Sequence, residues 1–117
     1  MGIRNFSEDV LLIILPQQPQ QGQEIEIVNK LLSDFADFDV MVDFSKVEIL
    51  TSESICGLMT LDKLLKASGR KLAFFYIPSA IRQIFVRTGL LAVFDLAEDA
   101  FDAIQHIQGK NSSVVEC

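Results

Sequence analysis

A cluster of hydroxyl side chains is the feature of this sequence that could carry chemistry. Thr51, Ser52 and Ser54 surround Glu53 within the stretch VEILTSESICGL, which spans residues 47–58. Such a cluster can cap a helix, because serine and threonine oxygens accept hydrogen bonds from free backbone N–H groups at a helix start. It could also hold a nucleophile, cradle a phosphate or accept a phosphoryl group.

Catalysis by one of these hydroxyls is not favoured by the rest of the sequence. A nucleophilic serine needs a base, but the sole histidine, His106, belongs to the last predicted helix, and the G-x-S-x-G motif is absent. A P-loop is excluded because the G-x-x-x-x-G-K-[ST] pattern is missing. A phosphorelay receiver needs an acidic pair after its first strand, where this chain has Pro16-Gln17-Gln18. We therefore expect no catalytic residue, no metal, no cofactor and no enzyme activity.

The remaining chemical interpretation is an acceptor of a phosphoryl group. A hydroxyl at a helix N-terminus lies where backbone N–H groups and the helix dipole favour negative charge. A phosphoryl group there adds about −1.5 to −2 charge units at pH 7. The fold would tolerate this charge, whereas a partner that docks beside Glu53 and Asp43 would be repelled. The same modification would spare the fold and break a complex, as a switch requires.

The hydrophobic pattern predicts the elements that must position this cluster. Short apolar runs and alternation predict strands, whereas apolar residues at helical spacing predict helices. The predicted strands are Val10–Leu15, Phe38–Phe44, Lys71–Ile77 and Val93–Leu96, with Gly2–Phe6 as a further edge strand. The predicted helices are Glu24–Phe35, Ser54–Ala67, a helix capped by Ser79 and closed by Gly89, and Glu98–Ile107. The prolines and the glycine of Pro16–Gln23 predict a loop.

The alternation of these strands and helices predicts the fold class. It indicates an α/β fold, with a mainly parallel sheet of four to five strands and helices packed on it. The length predicts one domain over residues 1–108, followed by a flexible tail over residues 109–117. In such sheets, functional residues gather in loops outside the carboxyl ends of the strands. The hydroxyl cluster falls in such a loop, between the strand Phe38–Phe44 and the helix Ser54–Ala67.

Composition narrows the setting of the protein. The net charge is −6, and the lysines and arginines are scattered, which argues against nucleic-acid binding. The longest apolar runs, Val10–Leu15 and Leu72–Ile77, are much shorter than the ~20 residues that span a bilayer. We also expect no signal peptide, and Cys56 and Cys117 have no metal-ligand spacing. A reduced, cytoplasmic setting without membrane contact is the simplest expectation.

Two stretches of the chain resemble the STAS domain of the bacterial anti-sigma factor antagonists. Residues 42–54, VDFSKVEILTSES, are similar to the family signature V-D-L-S-x-V-x-F-(I/M)-D-S-S-G-L. The segment IPSAIRQIFVRTGLLAVFDLAEDAFDAI resembles a later family segment, and Thr88-Gly89-Leu90 matches its T-G-L. The resemblance covers about Val10 to Ile107. It implies a STAS-like fold and a non-enzymatic regulator of transcription.

The resemblance also implies a partner and a modification site. In that family, a serine is phosphorylated by a partner that is both an anti-sigma factor and a serine kinase, and a phosphatase resets it. The unphosphorylated form binds this partner and frees a sigma factor. By position, the acceptor here is Ser52. The implied partner-binding residues are Thr51, Glu53, Ser54, Ile55, Cys56, Gln17, Gln18, Pro78 and Ser79.

Three departures from the family pattern leave a second hypothesis open. Thr51 stands where the family has aspartate, Ser54 stands where it has glycine, and Pro16-Gln17-Gln18-Pro19 replaces its G-(E/D)-L-D. The alternative is a STAS scaffold or small-ligand-sensing module that is not phosphorylated, with a phosphotransfer enzyme a distant third. Glu53 beside Ser52 would supply a standing negative charge that weakly resembles the phosphorylated state.

Overall fold

The structure is a computed structural model that describes residues 3–7, 9–34 and 38–107. Its strands are β1 (Ile3–Ser7), β2 (Val10–Ile14), β3 (Asp39–Asp43), β4 (Leu72–Phe75) and β5 (Asp95–Leu96). Its helices are α1 (Gln20–Asp34), α2 (Ser52–Ala67), α3 (Ser79–Thr88), a 3-10 turn (Leu90–Ala92) and α4 (residues 100–107). The predicted tail over residues 109–117 and the predicted helix end at Phe35 lie outside the described residues.

The strands form one mainly parallel sheet, as the alternation of strands and helices predicts. The order is β1-β2-β3-β4-β5, and only the pairing of β1 with β2 is antiparallel. The predicted edge strand is therefore confirmed, although it covers Ile3–Ser7. Because β2 to β5 are parallel, the loops that follow them share the carboxyl edge of the sheet.

Apolar side chains cover both faces of the sheet. Val40 and Val42 of β3 belong to the larger core, which also contains Ile25 of α1, Leu58 of α2 and Phe85 of α3. Met41 points to the opposite face, where Ala103 and Ile107 of α4 cover it. Since β3 alternates between two buried faces, its central residues are all apolar and its two aspartates lie at its ends.

The helix ends follow the predicted signals in part. Gly89 closes α3 in the left-handed conformation, with φ +76°, which glycine adopts without steric cost. Ser79 does not cap α3, because Pro78 occupies the cap position and makes no side-chain bond. The predicted loop Pro16–Gln23 is too long, because α1 already begins at Gln20. Among the described residues, no helix is long and apolar enough to cross a membrane.

Candidate functional site

The hydroxyl cluster starts α2, and one of its members provides the cap. Thr51 precedes the helix in an extended conformation, and its Oγ1 accepts a hydrogen bond of 3.1 Å from the N–H of Ser54. The Thr51 hydroxyl also donates to Ser54 Oγ at 3.1 Å. Ser54 is 1% exposed, and its hydroxyl accepts the hydrogen bond from Thr51. The side chain of Ser54 is therefore not on the surface where a partner would dock. The predicted cap function is therefore confirmed and belongs to Thr51.

Ser52 is the hydroxyl residue that the cap leaves unused. It is the first residue of α2 and its side chain is exposed. Within the described part of the chain, its hydroxyl makes no hydrogen bond. The first intrahelical bond runs from the N–H of Ile55 to the carbonyl of Thr51, so the N–H groups of Ser52 and Glu53 precede the ladder. The start of α2 thus presents a free hydroxyl beside two backbone donors without intrahelical acceptors.

Gln21 connects the two loops that flank the hydroxyl cluster. Its Nε2 donates to the carbonyl of Pro16 at 3.1 Å and to the carbonyl of Ile49 at 3.3 Å. Its Oε1 accepts a bond of 2.9 Å from Nε2 of Gln18. Gln21 is fully buried, at 0% exposure, and every polar atom of its amide has a partner. This residue places Gln17 and Gln18, which were predicted for the partner surface, next to the loop that ends in Thr51.

Two glycines allow α1 and α2 to approach closely beside the cluster. A Cβ atom on Gly57 would lie 2.5 Å from Cγ2 of Ile25, a distance that real Cβ atoms do not tolerate. A Cβ on Gly22 would lie 3.1 Å from Oε1 of Glu53. The Glu53 carboxylate therefore extends across the helix pair and lies over the first turn of α1.

An acidic groove lies between the first turns of α1 and α2. It consists of two adjoining hollows of about 150 and 280 Å³, both lined by Gly22, Glu26 and Glu53. Asn29 lines the smaller hollow, and its Nδ2 donates to the carbonyl of Gly57 at 3.0 Å. No hydrogen-bond donor reaches its buried Oδ1 within the described residues. The part of the groove formed by described residues therefore offers acceptors and no cation.

The other predicted surface residues are less uniform. Ile55 is half-buried and Cys56 is exposed with a free thiol. Pro78 precedes α3 and Ser79 begins it, on the same sheet edge as the cluster, because β3 and β4 are parallel neighbours. Among the described residues, no hydrogen bond joins Pro78 or Ser79 to the hydroxyl cluster.

Two exposed apolar residues on this edge were missed by the sequence analysis. Ile49 is 64% exposed in the loop before Thr51, and Tyr76 is 48% exposed directly after β4. Tyr76 also has φ +53°, a conformation that costs energy for a residue with a side chain. Backbone strain of this kind clusters at functional sites, so Tyr76 is a candidate contact residue. Nothing in the sequence signals the positive φ, since tyrosine normally favours strands.

The histidine is engaged elsewhere in the fold. His106 lies on α4, and its Nδ1 is 2.7 Å from Oδ1 of Asp95. Its Nε2 is 3.5 Å from Oδ2 of Asp102, so the ring is held between two carboxylates. Within the described ranges, no group of three or more histidine, cysteine or acidic side chains could hold a metal ion.

Comparisons with known proteins give fold relatives only. No family model and no curated protein matches the sequence. A serine-to-glutamate variant of RsbS from Moorella thermoacetica is 16% identical and has a TM-score of 0.78, covering 94% of this chain and 96% of its own. The unphosphorylated anti-sigma factor antagonist SpoIIAA is 15% identical with a TM-score of 0.73, covering 92% of this chain and 95% of its own. This chain has the STAS fold of the anti-sigma factor antagonists.

Two further structures extend the comparison. The phosphorylated form of SpoIIAA from Bacillus is 13% identical, has a TM-score of 0.68 and covers 89% of this chain and 96% of its own. A stressosome structure, described as a signal integration and transduction hub, is 16% identical with a TM-score of 0.73, covering 93% of this chain and 97% of its own. At identities of 13–16%, these structures share the fold of this chain.

Proposed function

We propose that this chain is an anti-sigma factor antagonist-like regulator that binds a serine-kinase anti-sigma factor and is switched by phosphorylation of Ser52. The observation that carries the proposal is the exposed, unbonded hydroxyl of Ser52 at the start of α2. Thr51 already caps the helix, so Ser52 has no structural task that would explain a hydroxyl at this position. The existence of STAS-fold proteins in phosphorylated and unphosphorylated forms supports the same assignment.

The start of α2 is electrostatically suited to a phosphoryl group. Transfer of the γ-phosphoryl group from a nucleoside triphosphate to Ser52 Oγ would release a nucleoside diphosphate and the hydroxyl proton. It would leave a charge of about −1.5 to −2 at pH 7. The N–H groups of Ser52 and Glu53 and the positive end of the helix dipole favour this charge. Phosphorylation would therefore leave the fold intact and change only the surface that the partner contacts.

The proposed partner surface surrounds Ser52 on the carboxyl edge of the sheet. Ile49 and Ile55 provide apolar contact area, and the groove lined by Glu26 and Glu53 provides negative charge. Gln21 holds the Pro16–Pro19 loop against the same surface. A partner with an apolar centre and no basic cluster opposite Ser52 fits this arrangement, because further negative charge at Ser52 then weakens docking. A partner that controls sigma factors would meet this chain in the cytoplasm, where a phosphatase would reset the switch.

Phosphopeptide mass spectrometry on protein from growing and stressed native cells tests the modification. Ser52 should carry phosphate whose occupancy changes with growth state, and a Ser52→Ala variant should lose that signal. Ser79 serves as an internal control, because it is also an exposed first residue of a helix. Absence of phosphate at Ser52 in both states, or equal phosphate at Ser79, would contradict the proposed switch.

Capture experiments on the same cells test the partner. Ser52→Ala should retain a kinase-type anti-sigma factor, whereas Ser52→Glu should release it because the added charge opposes docking. Ser68→Glu adds the same charge at an exposed residue at the other end of α2 and should leave capture unchanged. Equal capture by all variants would favour the second candidate, a STAS scaffold or small-ligand-sensing module without phosphorylation. That candidate is supported by Thr51, whose hydroxyl is fully used by the cap where the family has a carboxylate.

A further inference from the structure

A cleft at the amino ends of the parallel strands, opposite the hydroxyl cluster, combines unpaired cations with an apolar wall. It has a volume of about 230 Å³ and lies where α2 ends and where β4 and β5 begin. Leu72 and Val93 provide its apolar lining, and Val93 is 37% exposed. Its charged lining residues are Asp62, Lys66, Arg70, Lys71 and Asp95.

The acidic residues of this cleft already have partners. Asp62 is buried and its Oδ2 lies 3.0 Å from Nζ of Lys66. Asp95 lies 2.7 Å from Nδ1 of His106. The Lys66–Asp62 pair is neutral and Asp95 is engaged by His106, so the unpaired cations of the described lining are the other two basic residues. The three cations and two carboxylates together leave one positive charge in excess.

Arg70 and Lys71 are those remaining cations. Each is only half-buried, and among the described residues neither side chain has an ion pair or a hydrogen bond. Lys71 reaches Asp39 only through its main-chain N–H, at 2.9 Å. Both residues lie beyond the end of α2 at Ala67, whereas Lys66 lies in its last turn and can offset the helix dipole. The helix dipole therefore explains the position of Lys66, but it does not explain the positions of Arg70 and Lys71.

We propose that this cleft binds the oxyanion of a small molecule through Arg70 and Lys71. A guanidinium and an ammonium side by side are donor-only groups that match phosphate or carboxylate oxygens. The net charge of the chain is −6, so most of its surface repels anions. Two unpaired cations in one cleft give an anion a local site that offsets this repulsion. Val93 and Leu72 would contact the apolar part of the ligand. The proposal does not depend on Ser52, which lies at the opposite edge of the sheet.

Titration of the ¹⁵N-labelled chain tests this site by NMR. Inorganic phosphate and succinate are added separately at constant ionic strength, so that the two arms distinguish a phosphate from a carboxylate ligand. We expect a saturable shift of the amides around Arg70 and Asp95 with at least one of them. Each lost charge-assisted hydrogen bond should weaken binding about tenfold, so R70Q/K71Q should bind at least about tenfold more weakly.

Two further variants keep the outcome decisive. Lys63→Gln removes one positive charge at an exposed position of α2 outside the cleft and should bind normally. Val93→Glu keeps both cations but adds a carboxylate at the apolar wall, and it should abolish the shift even if R70Q/K71Q fails to fold. Non-saturable shifts, or equal responses of R70Q/K71Q and Lys63→Gln, would overturn the proposal. Binding of tetraglutamate but of neither small anion would also overturn it, because the cleft would then be a peptide surface.

Discussion

Thr51 and Ser54 form a closed pair in which the hydroxyl of Thr51 both accepts the N–H of Ser54 and donates to Ser54 Oγ, each at 3.1 Å. Ser52 lies between them in sequence but outside this pair, with its side chain exposed. The cap and the proposed acceptor are therefore separate residues. Substitutions at Thr51 should act on stability, and substitutions at Ser52 should act on recognition.

Thr51→Ala should lower the free energy of unfolding by about 1–2 kcal/mol, because α2 loses its side-chain cap. Thr51→Asp should keep most of the stability, since aspartate is also a good N-cap. Urea denaturation followed by circular dichroism measures both changes. Thr60→Ala is the matched control: it removes an exposed hydroxyl bonded to the carbonyl of Cys56 on the same helix, and it should cost less than about 0.5 kcal/mol. An equal cost for Thr51→Ala and Thr60→Ala would contradict the cap assignment.

Gln21→Leu should destabilise the protein by about 1–3 kcal/mol, because the carbonyls of Pro16 and Ile49 lose their shared donor. The variant should also loosen the two loops that frame Ser52, which amide hydrogen exchange in residues 45–51 would detect. Gln20→Leu makes the same change at an exposed neighbouring position of α1 and should have little effect. Unchanged exchange in Gln21→Leu would show that the two loops are held by other contacts.

Sequence patterns predicted most of the fold because its elements are defined by local signals. The run VLLII of β2, the glycine that closes α3 and the helical spacing of Leu58, Leu61 and Leu65 each fit one element, whatever the rest of the chain does. The order of parallel strands then follows from their alternation with helices. The position of the hydroxyl cluster at the carboxyl edge was predictable on the same basis.

Features that depend on distant contacts were not predictable. The sequence predicts a polar loop around Gln21, yet the residue is buried and donates to the carbonyl of Ile49, 28 residues away in sequence. Gly57 lies inside α2, and only its contact with Ile25 of α1 shows that a side chain is not tolerated at this position. The direction of the Glu53 carboxylate likewise depends on the first turn of α1. Contacts between elements decide these details, and single-sequence patterns do not contain them.

Gly57→Ala should destabilise the protein by about 1–3 kcal/mol, because the added methyl group would overlap Cγ2 of Ile25. The sign of the effect is informative, since alanine normally stabilises a helix interior by about 0.5–1 kcal/mol relative to glycine. Ile25→Leu moves the branch away from Cβ, so the double variant Gly57→Ala/Ile25→Leu should lose less stability than the two single variants combined. Thermal denaturation of the unmodified protein, the two single variants and the double variant measures this coupling. Strictly additive losses of stability would contradict a direct contact between residues 25 and 57.

Glu53→Ser should raise affinity for the proposed kinase partner if Glu53 acts as a standing negative charge beside Ser52. An exposed charge at the edge of an interface contributes about 0.5–1 kcal/mol, so binding should tighten about two- to fivefold, and more at low salt. Surface plasmon resonance at two salt concentrations measures the change. Glu48→Ser removes the same charge from an exposed position in the preceding loop and should leave the affinity unchanged. Weaker binding by Glu53→Ser would show instead that the acidic groove between α1 and α2 attracts a basic group of the partner, and that the charge of Glu53 assists docking.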